Sequence, residues 1–378
     1  MSRLDSMPGA GKAAACRQSR LAGSKSGIKS YGVASSRPTV RSIALALGLS
    51  RATVSNALRG YPGVNAQTRQ RVQRAAARLG YVAHPFAAQV MSQLRRSGAN
   101  KEIGTLAVLE MFEPDRPAGA AQFHAELLAG VRKRAGALGF ASTHWMFGPG
   151  SDLSLKRLDQ ILHNRGIAGL VLLPTWSEPD FRALDWSRFT GIYVDYLIHR
   201  PALHTVCCDH GLTMFNALEK ARERGYRRPG IAVAHRTNAR VHGRWVGAYL
   251  AYLSAHPELT PVPPLVVDEA DELNPVNFLP WFRQQRPDVV LTHWIGALDQ
   301  MTAAGAEVPR SHGFICLNLQ VAPAQFSGFS QQPRKIGERA AELVIAQLAH
   351  GEAGPPSLPS TTMLPSRWKE GATIRAPG

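Results

Sequence analysis

The chain has 378 residues, long enough for two or three domains, and carries 44 Lys+Arg against 27 Asp+Glu for a formal net charge of +17. No run of 18 apolar residues appears, which argues against a membrane span, and the basic, Ala/Ser/Gly-rich start lacks the apolar block of a secretory signal. Four cysteines, Cys16, Cys207, Cys208 and Cys316, show neither CxxC spacing nor the density of a disulfide framework, so they read as reduced thiols of a cytoplasmic protein.

In chain order, residues 1–37 are poor in large apolar residues and rich in Ser, Gly, Arg and Lys, the composition of a disordered basic extension. Residues 38–84 read as a small all-α unit, and 85–100 as a hinge or linker with one short helical segment. Charge sets this front quarter apart. Residues 1–100 hold sixteen Lys+Arg and one acid, Asp5, whereas residues 101–378 hold 28 basic and 26 acidic side chains. Between Pro38 and Asn100 there are nine arginines and no Asp or Glu. Solvated surfaces mix the two signs, so a domain without carboxylates is shaped for a polyanion, and the arginine fork suits phosphate oxygens.

The segment Ile43 to Leu58, "IALALGLSRATVSNAL", is too interrupted for one core helix. Ala44, Gly48 and Val54 stand at i, i+4 and i+10, the spacing of a helix-turn-helix. Ala44 is small where the helices cross, Gly48 gives the turn its backbone freedom, and Val54 locks the second helix down. Ile43, Leu47, Leu49, Ala57 and Leu58 complete the inner face. Ser50 is positioned to cap the second helix and leave its amino end open to a phosphate. Arg51, Ala52, Ser55 and Asn56 then face outward, toward a DNA major groove.

From Ile103 onward, short apolar runs such as "IGTLAVLEMF", "IAGLVLLPT" and "PDVVLTHW" alternate with amphipathic stretches such as "HAELLAGVRKRAGALGF" and "IGERAAELVIAQLAHG". Buried strands alternating with helices predict repeated βαβ units and parallel sheets. About ten such strands over residues 101–370 favour two doubly wound lobes over a single sheet or a barrel. Ligand-facing residues of such lobes belong at the carboxyl ends of the strands, which carry Glu110, Trp145, Trp176, Asp195, Tyr196, His235, His293, Trp294 and Asn318.

The segment from Arg37 to Arg96 resembles the N-terminal domain of the lactose/galactose repressor family of transcription regulators. The resemblance rests on Thr39-Val40, Ile43-Ala44, Gly48, Ser50, Thr53-Val54-Ser55, Val64, Thr68, Val72 and Leu79-Gly80-Tyr81. It continues through "TVCCDHGLTMFNALEKARERGYRRPGIAV", "GRWVGAYLAYL", "PDVVLTHW" and "GFSQQPRKIGERAAELVIAQL" in the family's order. The resemblance implies a periplasmic-binding-protein-like core: two α/β lobes, three crossovers and a ligand cleft between them. It implies that Arg51, Ala52 and Asn56 read base edges, where Asn pairs with adenine, Arg with guanine, and a methyl meets thymine. It implies phosphate contacts for Ser50, Thr53, Ser55 and Tyr81, with Arg59 and Asn65 adding to the grip.

The family also wedges a hinge-helix leucine into the operator minor groove. Counting from Tyr81, that place falls on Val90, which is shorter and β-branched and so fills a kinked step less well than leucine; Met91 beside it, or a shifted register, is the substitute. For the effector, the resemblance implies Phe123 and His124 before the first core helix and Arg244 from the second lobe, joined by Trp176, Asp195, Trp294 and Asn318. Aromatic faces beside planar polar groups suit a sugar. Two departures bear on that reading: Asn318 stands where members often carry Asp, and His293-Trp294 stand where Asn-Asp is usual.

No Gly-x-Ser-x-Gly, glycine-rich phosphate loop, HExxH or metal-ligand spacing appears, so no enzyme, cofactor or metal is expected. The sequence therefore predicts a regulator, a repressor, that binds a pseudo-palindromic DNA operator as a homodimer and answers to a small-molecule effector. Two other readings remain open: a solute-binding protein, and a DNA-binding protein without an effector.

Overall fold

The computed structural model describes residues 40–58, 64–79, 103–114, 116, 118–148, 150–178, 180–195, 200–268, 272–319 and 325–377. The chain divides into two compact units, residues 1–83 and 84–378.

Three helices form the described part of the first unit: α1 (Val40–Leu47), α2 (Arg51–Leu58) and α3 (Ala66–Arg78). Between α1 and α2 the backbone turns at Gly48, whose φ of +65° suits a residue without a Cβ. Ile43, Ala44, Val54, Ala57, Val72, Ala75 and Ala76 are buried together, with Leu47, Leu49, Leu58 and Val64 packed around them. The short side chains of the alanines at the centre let the three helices pack closely. The Ser50 hydroxyl accepts from the Thr53 amide at 3.0 Å, and the Asn65 side chain accepts from the Thr68 amide at 2.7 Å. Each thereby satisfies an amide that would otherwise be orphaned in a first turn.

The second unit opens with β1 (Gly104–Met111), α4 (Ala118–Ala137), β2 (Phe140–Phe147), α5 (Leu155–Asn164), β3 (Gly169–Leu172), β4 (Thr190–Val194) and β5 (His204–Cys208). Then follow α6 (His210–Glu223), β6 (Pro229–Ala234), α7 (His235–Arg240), α8 (Arg244–Ala255), β7 (Leu265–Val267), α9 (Pro275–Gln285) and β8 (Val289–Thr292). The chain ends with α10 (Ala297–Ala303), β9 (Gly313–Cys316), β10 (Gly328–Ser330), α11 (Pro333–His350), β11 (Thr361–Leu364) and β12 (Arg367–Lys369). The strands make two six-stranded sheets, ordered β11-β5-β4-β3-β1-β2 and β12-β10-β9-β8-β6-β7. Every pairing is parallel except β10 with β12.

The apolar runs are continuous because helices cover both faces of each sheet. Along β1, Leu106 and Val108 point into one core with α4 and α11, while Ala107 and Leu109 point into another with α5. The second sheet is sandwiched the same way: Trp245 and Tyr249 of α8 cover one face, and Phe278 of α9 and Met301 of α10 the other. The edge strand β2 is only partly buried: Phe140 and Phe147 at its ends are buried, while His144 and Met146 are exposed.

The chain passes between the lobes at three places among the described residues: from β5 into α6, from β10 into α11, and from β11 into β12. Two lobes with three crossovers are what the resemblance implied. Helix α11 returns to the first lobe and packs along α4 at very short range. A Cβ at Gly130 would run into the Arg334 carbonyl, and one at Gly337 into the Leu127 carbonyl. None of the described helices is long and apolar enough to cross a membrane.

Candidate functional site

In the first unit the exposed face of α2 carries Arg51 and Asn56, with Thr53 and Ser55 half-buried beside them. Val54 and Ala57 occupy the opposite, buried face, so the 3.6-residue period alone turns Arg51 and Asn56 outward. Ala52 lies on the same helix. Ser50 spends its hydroxyl on the cap and on a 2.8 Å contact with the Thr53 hydroxyl. Asn65 is an N-cap, which commits its side-chain oxygen and leaves the NH2 end as donor. Helix α3 adds exposed Arg71, Arg74 and Arg78, and the described residues of this unit include no Asp or Glu. Such a surface has nothing to repel a phosphate chain. Arg59, Tyr81, Val90 and Met91 lie outside the described residues, as does Tyr196 in the second unit.

In the second unit a cavity of about 390 Å³ opens at the carboxyl ends of both sheets, between the lobes. Phe123, His124, Trp176, Asp195, Trp294 and Asn318 all line it. Arg244 does not: it starts α8, and its guanidinium donates to the Met363 sulfur at 3.6 Å. Glu110, Trp145 and His235 are also outside the lining. Trp145 sits on the edge strand with Arg165 over its ring at 4.9 Å.

The arginines that line the cavity are Arg236 and Arg240, both from α7. Arg240 donates to Asp195 at 2.6 Å and to the Thr175 carbonyl at 2.7 Å, and it lies 4.0 Å over the Trp176 ring. Asp195 itself has φ +120°, a costly conformation for a side chain with a Cβ, and the charge-assisted pair holds it there. Arg236 reaches across to the Trp176 carbonyl at 2.9 Å. Thus Arg236 and Arg240, from the second lobe, fasten the first-lobe segment that bears Trp176. The sequence reading passed over both, although they follow directly on the carboxyl end of β6, where the strand-end rule points.

A row of rings forms the cavity wall. His210 meets Trp245 edge-on at 5.4 Å, and Trp245 stacks on His293 at 5.9 Å. Burial pushes both imidazoles down to about 4, so they are neutral at pH 7. Burial likewise pushes the Cys208 thiol up to about 12, which keeps this lining residue protonated and unreactive. Cys207, Cys208 and Cys316 are buried, and no disulfide joins them.

Behind the wall lies a buried carboxylate. Glu110, 5% exposed, bonds to His124 Nδ1 at 2.9 Å, to His144 Nε2 at 2.7 Å and to Arg116. Burial raises its pKa, but the hydrogen bonds from the two histidines and the arginine outweigh that and hold it far below the ordinary carboxylate range. Glu113 caps the neighbouring loop, accepting from the Trp176 amide at 2.7 Å and the Ser177 amide at 2.8 Å. Among the described residues, no group of three or more His, Cys, Asp or Glu could hold a metal ion.

The sequence matches the model of bacterial regulatory proteins of the lacI family over residues 39–84, and that of the periplasmic binding protein-like domain over residues 218–374. No curated protein matches it. Among solved structures, the fold is similar to the transcriptional regulator CelR–cellobiose complex (20% identity, TM-score 0.55, 89% of this chain, 100% of that one). It is also similar to the Lac repressor dimer bound to operator and the anti-inducer ONPF (16% identity, TM-score 0.51, 90% of this chain, 100% of that one). A third is transcription regulator CcpA of Lactococcus lactis (14% identity, TM-score 0.54, 72% of this chain, 99% of that one). At such identities the structures speak for a shared fold. The chain thus joins a helix-turn-helix domain of the lacI family of bacterial regulatory proteins, residues 39–84, to a core that carries the periplasmic binding protein-like domain over residues 218–374.

Proposed function

We propose that this regulator binds a pseudo-palindromic operator as a homodimer, represses transcription there, and responds to a small molecule held between the core lobes. The observation that carries the reading is the first unit itself: a helix-turn-helix without carboxylates, with Arg51 and Asn56 exposed on the second helix. Asn56 pairs with an adenine edge and Arg51 with a guanine, each contributing roughly 1–3 kcal/mol of discrimination, while Ala52 supplies a methyl contact. Ser50, Thr53, Ser55, Arg59, Asn65 and Tyr81 grip phosphates and fix the register. One such unit touches too few bases for useful specificity, so two subunits act together on two half-sites, as in the operator-bound Lac repressor dimer.

Residues 1–37 form a basic extension, 38–84 the DNA-binding domain, 85–100 the hinge with Val90 or Met91 as minor-groove wedge, and 101–370 the effector and dimerisation core. Ligand in the cavity shifts the lobes and thereby orders or releases the hinge. The protein acts in the cytoplasm, without enzymatic activity.

The test is a pull-down of sheared chromosomal DNA by the full chain at modest ionic strength, followed by sequencing. A shared motif with two half-sites among the enriched fragments is expected, and no enrichment over bulk DNA contradicts the reading. Replacing Arg51 and Arg59 together should flatten the slope of log affinity against log salt by up to ~2 phosphate-equivalents; an unchanged slope argues against their phosphate and base contacts.

A further inference from the structure

His124 and Trp245 line the cavity and are each 2% exposed, yet His124 Nε2 and Trp245 Nε1 have no hydrogen-bond partner among the described residues. Buried polar atoms without partners are costly, and in a binding cavity they mark where a ligand completes the bonding. What His124 offers depends on which ring nitrogen carries the proton. Its Nδ1 lies 2.9 Å from the Glu110 carboxylate and 3.0 Å from Arg116 Nη1. A bare Nδ1 would set its lone pair against the carboxylate oxygen. With Nδ1 protonated, Glu110 accepts from both the imidazole and Arg116, and His144 bonds the carboxylate's other oxygen. An Arg116 N–H at 3.0 Å would suit a bare Nδ1, but Arg116 already donates to Glu110, and the carboxylate at 2.9 Å can only accept; the tautomer with Nδ1 donating to Glu110 leaves Nε2 as a bare lone pair facing the ligand.

We propose that the cavity takes a neutral ring compound that donates a hydroxyl or N–H hydrogen to His124 Nε2 and accepts from the Trp245 indole. In this assignment Glu110 is a positioning residue that sets the imidazole tautomer. The rest of the wall agrees with an uncharged ligand: Asp195 and Arg240 neutralise one another, the other two charged lining side chains, Arg236 and Glu272, are of opposite sign, and Phe123 and Trp294 add apolar faces. The inference rests on the ligand-responsive reading above and specifies its site.

Two measurements on the full chain test it. The first is imidazole nitrogen NMR with labelled histidine. His124 should show a protonated Nδ1 and a bare Nε2 at pH 7, and Glu110→Gln should abolish that preference. A proton on Nε2 in the native chain overturns the proposal whatever the ligand.

The second follows tryptophan fluorescence with four neutral probes and one charged one: cellobiose, para-hydroxybenzyl alcohol, their O-methyl ethers, and glucose phosphate. At least one hydroxylated neutral probe should bind, its methyl ether at least about tenfold more weakly, because the ether leaves Nε2 unpaired. His124→Phe should erase that difference, and His124→Gln, which keeps an acceptor, should retain part of it. Failure of both hydroxylated probes, equal binding of the ethers, or preference for the phosphate ester overturns the proposal. DNA binding by the same preparations separates the outcomes: intact operator binding with a failed probe test removes this inference and leaves the regulator standing.

Discussion

Gly48 adopts φ +65° with no atom within 4 Å of where a Cβ would lie. Alanine therefore fits the space but not the backbone, and Gly48→Ala should lower stability of the DNA-binding unit by about 1 kcal/mol. Ser50→Ala removes the cap on the Thr53 amide and should lower it by a similar amount, about 1 kcal/mol. Both are read as a shift in the urea midpoint of the unit's transition, and an unmoved midpoint contradicts the turn geometry. Asn56 is exposed and caps nothing, so Asn56→Ala should leave that midpoint alone while removing sequence preference in a competition against bulk DNA. This contrast separates residues that build the motif from the residue proposed to read with it. At this scale the sequence is legible, because turn, cap and lock lie within sixteen residues and act through local backbone chemistry. His124 is half-legible. The sequence predicts it before the first core helix, but α4 begins at Ala118 and holds Phe123 and His124 within its second turn, and its tautomer depends on Glu110, Arg116 and His144, which only the folded sheet assembles around it.

Among the elements, the α4–α11 pair couples stability to the cavity. Gly130 and Gly337 let the two helix backbones touch, and the amino end of α4 carries Phe123 and His124 into the lining. Gly337→Ala raises helix propensity, yet its methyl collides with the Leu127 carbonyl, so the packing effect and the propensity effect have opposite signs. Packing should win, with a net loss of about 1–3 kcal/mol in denaturant titration of the core. A stabilised variant would show that the helices are not in contact at Gly337. The strands and helices themselves are legible as alternating runs, since burial on both faces imposes continuous apolar segments. Their partners are not. Nothing in "STTMLP" announces that β11 crosses back to pair with β5 of the first lobe, or that three residues later β12 pairs with β10 of the second. Arg244 and Arg240 show the same limit: both precede or follow the same turn, and only the orientation of the short α7 decides that Arg240 faces Asp195 and the cavity.

For the whole molecule, the neutral rings of the cavity make stability depend on pH. His210 has its pKa pushed down to about 4 by burial, below the ordinary 6.5, so the unfolded chain takes up a proton before the folded one does. Stability is full above about pH 6.5 and falls as pH drops toward 4, by about 2 kcal/mol between pH 7 and pH 5 from His210 alone. His293 acts in the same direction. Urea titrations of the core transition at those two pH values check this, and equal stabilities would contradict a buried neutral His210. The charge division of the chain speaks to the larger claim, since residues 101–378 are nearly neutral and the first hundred carry almost all of the net charge. The proposed function assigns attraction to DNA to the amino-terminal part and sequence choice to the face of α2. Nuclease protection of the chromosomal fragment most enriched by the native chain, compared between native and Asn56→Ala proteins, tests this most directly. The account predicts a protected window of two half-sites for the native chain and, for the variant, only diffuse binding that added salt removes. Identical protected windows for the two proteins, or none for either, would contradict it.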